Sequence, residues 1–161
     1  GAAGQVPSMH FEAFADADWV AGWRQTLRPM RFGRRLWICP TGTAAPDTEA
    51  AVIELEPGLA FGTGSHPTTA MCLDWLADEP TLSGSVLDYG CGSGILGIAA
   101  AALGADDVLG IDLDAQALQA TRDNARRNGL DDRLEACTPD HAPRDKRYDP
   151  VLANSLTGTF I

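Results

Sequence analysis

The stretch Ser85–Asp112, SVLDYGCGSGILGIAAAALGADDVLGID, restricts the fold of this chain more than any other. Val86 and Leu87 lead into Asp88, and glycines follow at Gly90, Gly92 and Gly94. Glycine at every second position lets the main chain turn sharply and approach a ligand closely, because no Cβ intrudes. From about Ile95 to Leu103 the residues are apolar almost all round, the pattern of a buried helix. Val108–Ile111 reads as the next strand, with Asp112 at its tip, where nucleotide-binding α/β units place the acid that meets a ribose diol. Strand, glycine turn, buried helix and second strand together predict half of a nucleotide-binding sheet.

Two ligands compete for that half. Gly92, Gly94 and Gly97 satisfy G-x-G-x-x-G, a pattern that dinucleotide sites share. A pyrophosphate, however, is held by free amides at a helix N-terminus and tolerates no acid beside it. Asp88 sits just ahead of the first glycine. An extra carboxylate suits a ligand with an ammonium and a sulfonium, as in S-adenosylmethionine. The other reading of Asp88 is a tether for the loop amides, which is compatible with either cofactor. These residues favour a methyltransferase over an NAD(P)-dependent oxidoreductase. A cofactor-binding module without turnover is the non-enzymatic alternative.

Composition narrows the partners. A chain of 161 residues is one domain, large enough for a real core. With 22 acids against 12 bases the net charge is −10, which argues against holding nucleic acid through overall charge. Cys39, Cys72, Cys91 and Cys137 are far apart, as are His10, His66 and His141, so neither a zinc site nor a disulfide framework is indicated. Reduced thiols and a cytoplasmic setting are the default. No apolar run is long enough to span a bilayer, and no basic-then-apolar leader opens these residues.

Residues 1–15 lack periodicity and read as a loose arm. Residues 16–50 read as a linker-like unit of helix and strand. Its helix runs from Asp16 to about Leu27, with Trp19, Val20 and Trp23 on one face, and its strand is Leu36–Cys39. Arg24, Arg28, Arg31, Arg34 and Arg35 fall in a window, Trp19 to Pro46, that holds no acid. They either meet an anionic partner or pair with the acidic remainder of the chain. Residues 51–161 read as the cofactor-binding domain. Ala51–Leu55 alternates enough for a strand, and Leu59–Thr69 (LAFGTGSHPTT), with Phe61 exposed, is a candidate ligand lid. Ser65 or Thr68 caps a helix from Pro67 to Asp78 whose inward stripe reads as Met71, Cys72, Trp75 and Leu76. His66 is either a general base or a partner in a local hydrogen bond. Residues 115–128 form an amphipathic helix with Leu118, Thr121 and Ala125 inward. Arg133–Cys137 and Tyr148–Asn154 supply a third and a fourth strand, and Asp140 lies where such folds meet an adenine amino group. The expected sheet is parallel, in the order 3-2-1-4. Val151–Ala153 would be an apolar edge of that sheet, open to self-association.

Two runs, EPGLAFGTGSHPTTAMCLDWL and VLDYGCGSGILGIAAAALGADDVLGIDLDAQALQATRDNARRNGL, resemble the PrmA family of bacterial ribosomal-protein methyltransferases, and DWVAGWRQTLRPMRFGRRLWICP resembles the segment joining that family's two domains. The resemblance covers about residues 16–161, and the FGTGSHPTT loop is its most specific part. It implies an α/β, Rossmann-like class I methyltransferase sheet with helices on both faces. It implies S-adenosylmethionine as cofactor, contacted by Thr69 and Gly90 and held at the ribose by Asp112, with Phe61 closing over it. Gly92 and Gly94 complete the glycine loop, and Asn154 lies beside the methyl-transfer site as the catalytic candidate. The implied substrate is a large-subunit ribosomal protein, methylated on amines (Lys side chains and an N-terminal α-amine), with no metal. The expectation is a truncated catalytic domain, since the family's N-terminal recognition domain and its strands beyond Asn154 fall outside these residues. After Asn154 the chain reads Ser-Leu-Thr-Gly-Thr-Phe160, where the family usually has I-L-A-G-P-L.

Overall fold

A computed structural model describes residues 28–46, 49–56 and 66–154. The expected helix at Asp16–Leu27, Arg24, Phe61 and Ser65 lie outside the described residues. Seven strands and three α-helices follow in order among the described residues: β1 (Met30–Phe32), β2 (Leu36–Pro40), β3 (Ala51–Leu55), α1 (Pro67–Asp78), β4 (Ser85–Tyr89), α2 (Ile95–Leu103), β5 (Asp107–Ile111), α3 (Ala115–Arg127), β6 (Leu134–Cys137) and β7 (Val151–Ala153). A 3₁₀ turn, Pro139–His141, stands between β6 and β7.

The strands form two sheets. One has the order β6-β5-β4-β7, parallel throughout, which is the expected 3-2-1-4. The other has the order β1-β2-β3, with β1 antiparallel to β2 and β2 parallel to β3. Helix α2 packs against β4 and β5 of the first sheet, β3 of the second, and α1. That position explains its composition. Every residue from Ile95 to Leu103 except Ala102 is buried, because the helix has a sheet on either side and keeps almost no solvent face. Ile38 and Ile53 share one continuous apolar core with Val86, Ile98 and Val108.

Strand β1 carries no clear sequence signal. Its three residues pair with β2 in the register Met30↔Ile38, Arg31↔Trp37, Phe32↔Leu36, inside the run that reads as an arginine cluster. Two of those arginines, Arg31 and Arg35, have partners within the chain. Arg31 lies 5.6 Å from the centroid of the Trp37 ring and donates to Arg34 O at 3.4 Å. Arg35 donates through Nη1 to Glu79 O and through Nη2 to Leu103 O, the latter at 3.2 Å. One guanidinium therefore satisfies carbonyls at the C-terminal ends of both α1 and α2, where cationic donors are favoured.

Helix α1 has the expected bounds but a different cap and a different inner face. His66 is the N-cap, in extended conformation, and its Nδ1 accepts from Thr68 N at 3.3 Å. The buried residues are Thr69, Leu73, Leu76 and Ala77, whereas Met71 is 71 % and Trp75 48 % exposed. Of the expected inner stripe only Leu76 is fully buried. Apolar residues occur on two faces of this helix, and periodicity cannot rank them. Packing against α2 and β1 selects the face that carries Leu73 and Leu76.

The last strand is shorter than expected, Val151–Ala153 in place of Tyr148–Asn154. Pro150 has no N–H to give to a ladder, although its carbonyl still accepts from Leu87 N at 3.2 Å. No helix among the described residues is long and apolar enough to cross a membrane.

Arg35→Met should remove both helix-end contacts while keeping the apolar stem. The expected outcome is a loss of about 2 kcal/mol in urea unfolding, the scale of one partly buried guanidinium bonded to two carbonyls. An unchanged urea midpoint would contradict the assigned role.

Candidate functional site

The carboxyl ends of β5, β4 and β7 lie side by side in the sheet. Tyr89 pairs with Ile111 on one side and Ala153 on the other, so Asp112, Gly90 and Asn154 each stand one residue beyond a strand on the same edge. Crevices at strand carboxyl ends are where open α/β sheets bind ligands.

Gly90, Gly92 and Gly94 have φ of +76°, +56° and +79°, which other residues rarely adopt. The loop's peptide groups are almost all engaged within the protein. Gly90 N and Cys91 N donate to Ile111 O at 2.7 and 3.0 Å, and Gly94 N donates to Cys91 O at 2.7 Å. Gly92 N donates to Asp112 Oδ2 at 3.0 Å. On the acceptor side, Gly92 O receives Thr121 Oγ1 at 3.1 Å and Ser93 O receives Asn124 Nδ2 at 2.9 Å. Gly94 O receives Ile98 N at 2.8 Å. Among the described residues, no donor is bonded to the Gly90 carbonyl.

Two acids lie by this loop. Asp112 is partly exposed, and its second oxygen, Oδ1, accepts from Asp114 N at 3.0 Å. Both oxygens are thus oriented while each keeps a further lone pair. Asp88 is 2 % exposed, and its Oδ2 accepts from Gly97 N at 2.9 Å. The tether that the sequence left open for Asp88 is present, directed at the first turn of α2. Gly97 makes room for it, since a Cβ there would lie 3.1 Å from Val108 and 3.2 Å from the Asp88 carboxylate. Burial pushes the Asp88 carboxyl up to about 7, against the pull of the Gly97 bond and with a smaller push from Asp112. Burial likewise pushes the Cys91 thiol up to about 12, so it is no thiolate nucleophile.

Asn154 Nδ2 donates to Thr69 Oγ1 at 2.7 Å, joining the end of β7 to the first turn of α1. Thr69 is 1 % exposed. His66 makes the local contact rather than projecting as a lone base, with Nδ1 2.7 Å from Thr68 Oγ1. Phe61 lies outside the described residues. Asp140 stands in the 3₁₀ turn after β6.

Helix α3 holds residues that sequence reading missed. Thr121 reads as part of an inward stripe and is buried, but its hydroxyl leaves the helix to reach the loop. Asn124 lies outside the inward stripe that the sequence shows, although it is 4 % exposed. Asn128 Oδ1 accepts from Glu54 N and its Nδ2 donates to Glu54 O, both at 2.8 Å, completing the edge of β3 as a neighbouring strand would. The available signal was polar residues at i, i+3 and i+7 on the buried side of an amphipathic helix.

A parallel sheet of this order, with a glycine loop after its first strand and an acid ending its second, defines an α/β domain of the class I methyltransferase type. A solved structure of ribosomal protein L11 methylase from Lactobacillus delbrueckii subsp. bulgaricus superposes with a TM-score of 0.65 at 32 % identity, covering 80 % of this chain and 67 % of that one. The family model for ribosomal protein L11 methyltransferase (PrmA) matches residues 2–161, and the chain belongs to that family. Ribosomal protein L11 methyltransferase of Tolumonas auensis is 55 % identical over 148 residues, covering 91 % of this chain and 50 % of its own length. That of Pseudomonas paraeruginosa is 51 % identical over 159 residues, covering 98 % and 54 %. The chain therefore spans about half the length of the curated relatives it matches.

Asp88 gives a pH signature. Its folded carboxyl, at about 7, binds a proton more tightly than the unfolded one at 3.8, so the stability it contributes is complete below about pH 4 and is lost as pH rises through 7. Asp88→Asn keeps an acceptor for Gly97 N and removes the ionisation. Between pH 5 and 8 the unfolding free energy of the wild type should fall relative to Asp88→Asn, by at most ~2.7 kcal/mol, since only the two units from pH 5 to about 7 contribute. Parallel pH profiles for the two proteins would refute the assignment.

Proposed function

We propose that this chain forms the donor-binding part of an S-adenosylmethionine-dependent methyltransferase that methylates amines of ribosomal protein L11. The observation that carries the reading is the polarity of the glycine loop. The N–H groups of Gly90, Cys91, Gly92 and Gly94 all have partners within the protein, and the Gly90 carbonyl does not among the described residues. A diphosphate needs donors and finds few here, with acids at Asp88 and Asp112 close by. A ligand with an ammonium needs acceptors. That asymmetry supports the methyl donor over a nicotinamide dinucleotide.

S-adenosylmethionine, when bound, supplies a methyl group already activated on a sulfonium. The Gly90 carbonyl would take the ammonium, and Asp112 would take the ribose hydroxyls on lone pairs left by Gly92 N and Asp114 N. Gly92 and Gly94 keep the loop free of side chains at closest approach, and Phe61 would cover the donor. Asp88 would act from beneath, holding α2 against the loop and favouring positive charge above it. Thr69 occupies the amide nitrogen of Asn154, which leaves Oδ1 to accept an N–H of the substrate amine. The amine would then be held with its lone pair aimed, so positioning and desolvation do the work and no protein nucleophile is required. L11 as substrate is supported by membership of the family and by the names of the relatives. Lys side chains and the N-terminal α-amine are its available amines.

Calorimetric titration tests the reading. S-adenosylhomocysteine should bind and raise the melting temperature, whereas NAD(H) and NADP(H) should do neither. Asp112→Ala should weaken S-adenosylhomocysteine about 10- to 100-fold, as expected for a charged acceptor removed from two hydroxyls. Absence of heat at millimolar S-adenosylhomocysteine, or binding of a nicotinamide nucleotide instead, would overturn it.

A further inference from the structure

Thr121 and Asn124 stand on the buried side of α3, where apolar side chains would pack without cost, yet each sends its donor to the glycine loop. Thr121 is 0 % exposed, and its hydroxyl lies 3.1 Å from Gly92 O and 3.3 Å from Cys91 Sγ. Asn124 gives Nδ2 to the next carbonyl along, Ser93 O, at 2.9 Å. The amide of Asn124 cannot be reversed. Its Oδ1 receives Arg127 Nη1 at 2.8 Å and Glu56 N at 3.4 Å, and a guanidinium and a peptide N–H can only donate. Arg127 is held in turn by Glu56 at 3.4 Å. The loop also leans directly on this helix, since a Cβ at Gly94 would lie 2.8 Å from Thr121 Cγ2.

We propose that Thr121 and Asn124 are positioning residues for the methyl donor, acting through the peptide carbonyls of Gly92 and Ser93. The inference rests on the reading of the loop given above and adds what sets the loop's polarity. By drawing two consecutive carbonyls toward α3, the pair leaves Gly90 as the loop acceptor on the ligand side and fixes the peptide planes that follow it. Neither residue touches the ligand. The amino-acid arm of the donor is the part that depends most on them, because Asp112, although Gly92 N holds its Oδ2, keeps a second tether outside the loop, from Asp114 N to Oδ1 at 3.0 Å, at the ribose end.

The test uses the 161-residue chain and two ligands, S-adenosylhomocysteine and 5′-methylthioadenosine, which shares the adenosine and sulfur but lacks the amino-acid arm. Thr121→Val is isosteric and removes the hydroxyl. Asn124→Asp keeps the shape and the acceptor for Arg127 but offers Ser93 O no donor. Each should weaken S-adenosylhomocysteine about tenfold, leave 5′-methylthioadenosine nearly unchanged, and speed amide hydrogen exchange at Ser93 and Gly94 in the free protein. Thr121→Ser, which keeps the hydroxyl, should restore the wild-type ratio of the two affinities. Equal losses for both ligands would mark a merely structural role and overturn the proposal, as would an unchanged ratio. If the wild type binds neither ligand, the methyl-donor reading fails by itself. The hydrogen-exchange arm then decides the clamp, and unchanged protection at Ser93 and Gly94 would overturn it.

Discussion

Everything at the strand ends depends on how the peptide groups between Gly90 and Gly94 are used. A glycine loop is soft, and softness in a binding loop is lost affinity unless the rest of the protein removes it. Here Ile111 O takes two successive amides, the Asp112 side chain takes a third, and two side chains of α3 take two carbonyls. The loop is therefore shaped from both flanks, by the end of β5 and by one face of α3. What it can offer a ligand is decided by what these partners leave over.

The same geometry explains why α2 has the sequence it has. The helix begins directly at the loop, with Gly94 as its N-cap, and lies between two sheets. An apolar helix of nine residues has no amphipathic face to present, and it would be a liability anywhere else on the molecule. Asp88 is buried beside it, bonded to Gly97 at the first turn and raised by burial. The anchor thus links the strand before the loop to the helix after it. A carboxylate buried with one amide bond is costly, and a nearby cationic ligand would offset part of that cost.

Much of this was legible in the residues. Gly90, Gly92 and Gly94 at alternate positions, Asp112 at a strand tip and an all-apolar helix between two strands each carry one physical meaning, and the structure realises them in the expected order. The errors fell where two meanings fit equally well. Helix α1 has apolar residues on two faces, and contact with α2 and β1 chose Leu73 over Met71. Arg35 reads as one of a cluster that meets an anionic partner or the acidic remainder of the chain, because nothing in a linear sequence shows that two helix ends 24 residues apart, at Glu79 and Leu103, converge on it. Strand β1 is three residues long and makes sense only once β2 lies beside it.

The sequence by itself determined the order of the four-stranded sheet, the bounds of α1 and α2 and the glycine turn, the first from the right-handed crossover rule and the others from local preferences, backbone freedom at glycine and periodic burial. Tertiary structure alone decided which polar groups meet. Thr69 and Asn154 are 85 positions apart and form one hydrogen bond, and Ser93 and Asn124 are joined across 31. A hydrogen bond is set within tenths of an ångström and a few tens of degrees, a precision that no pattern of residue types encodes until the packed core has brought the two chain segments together.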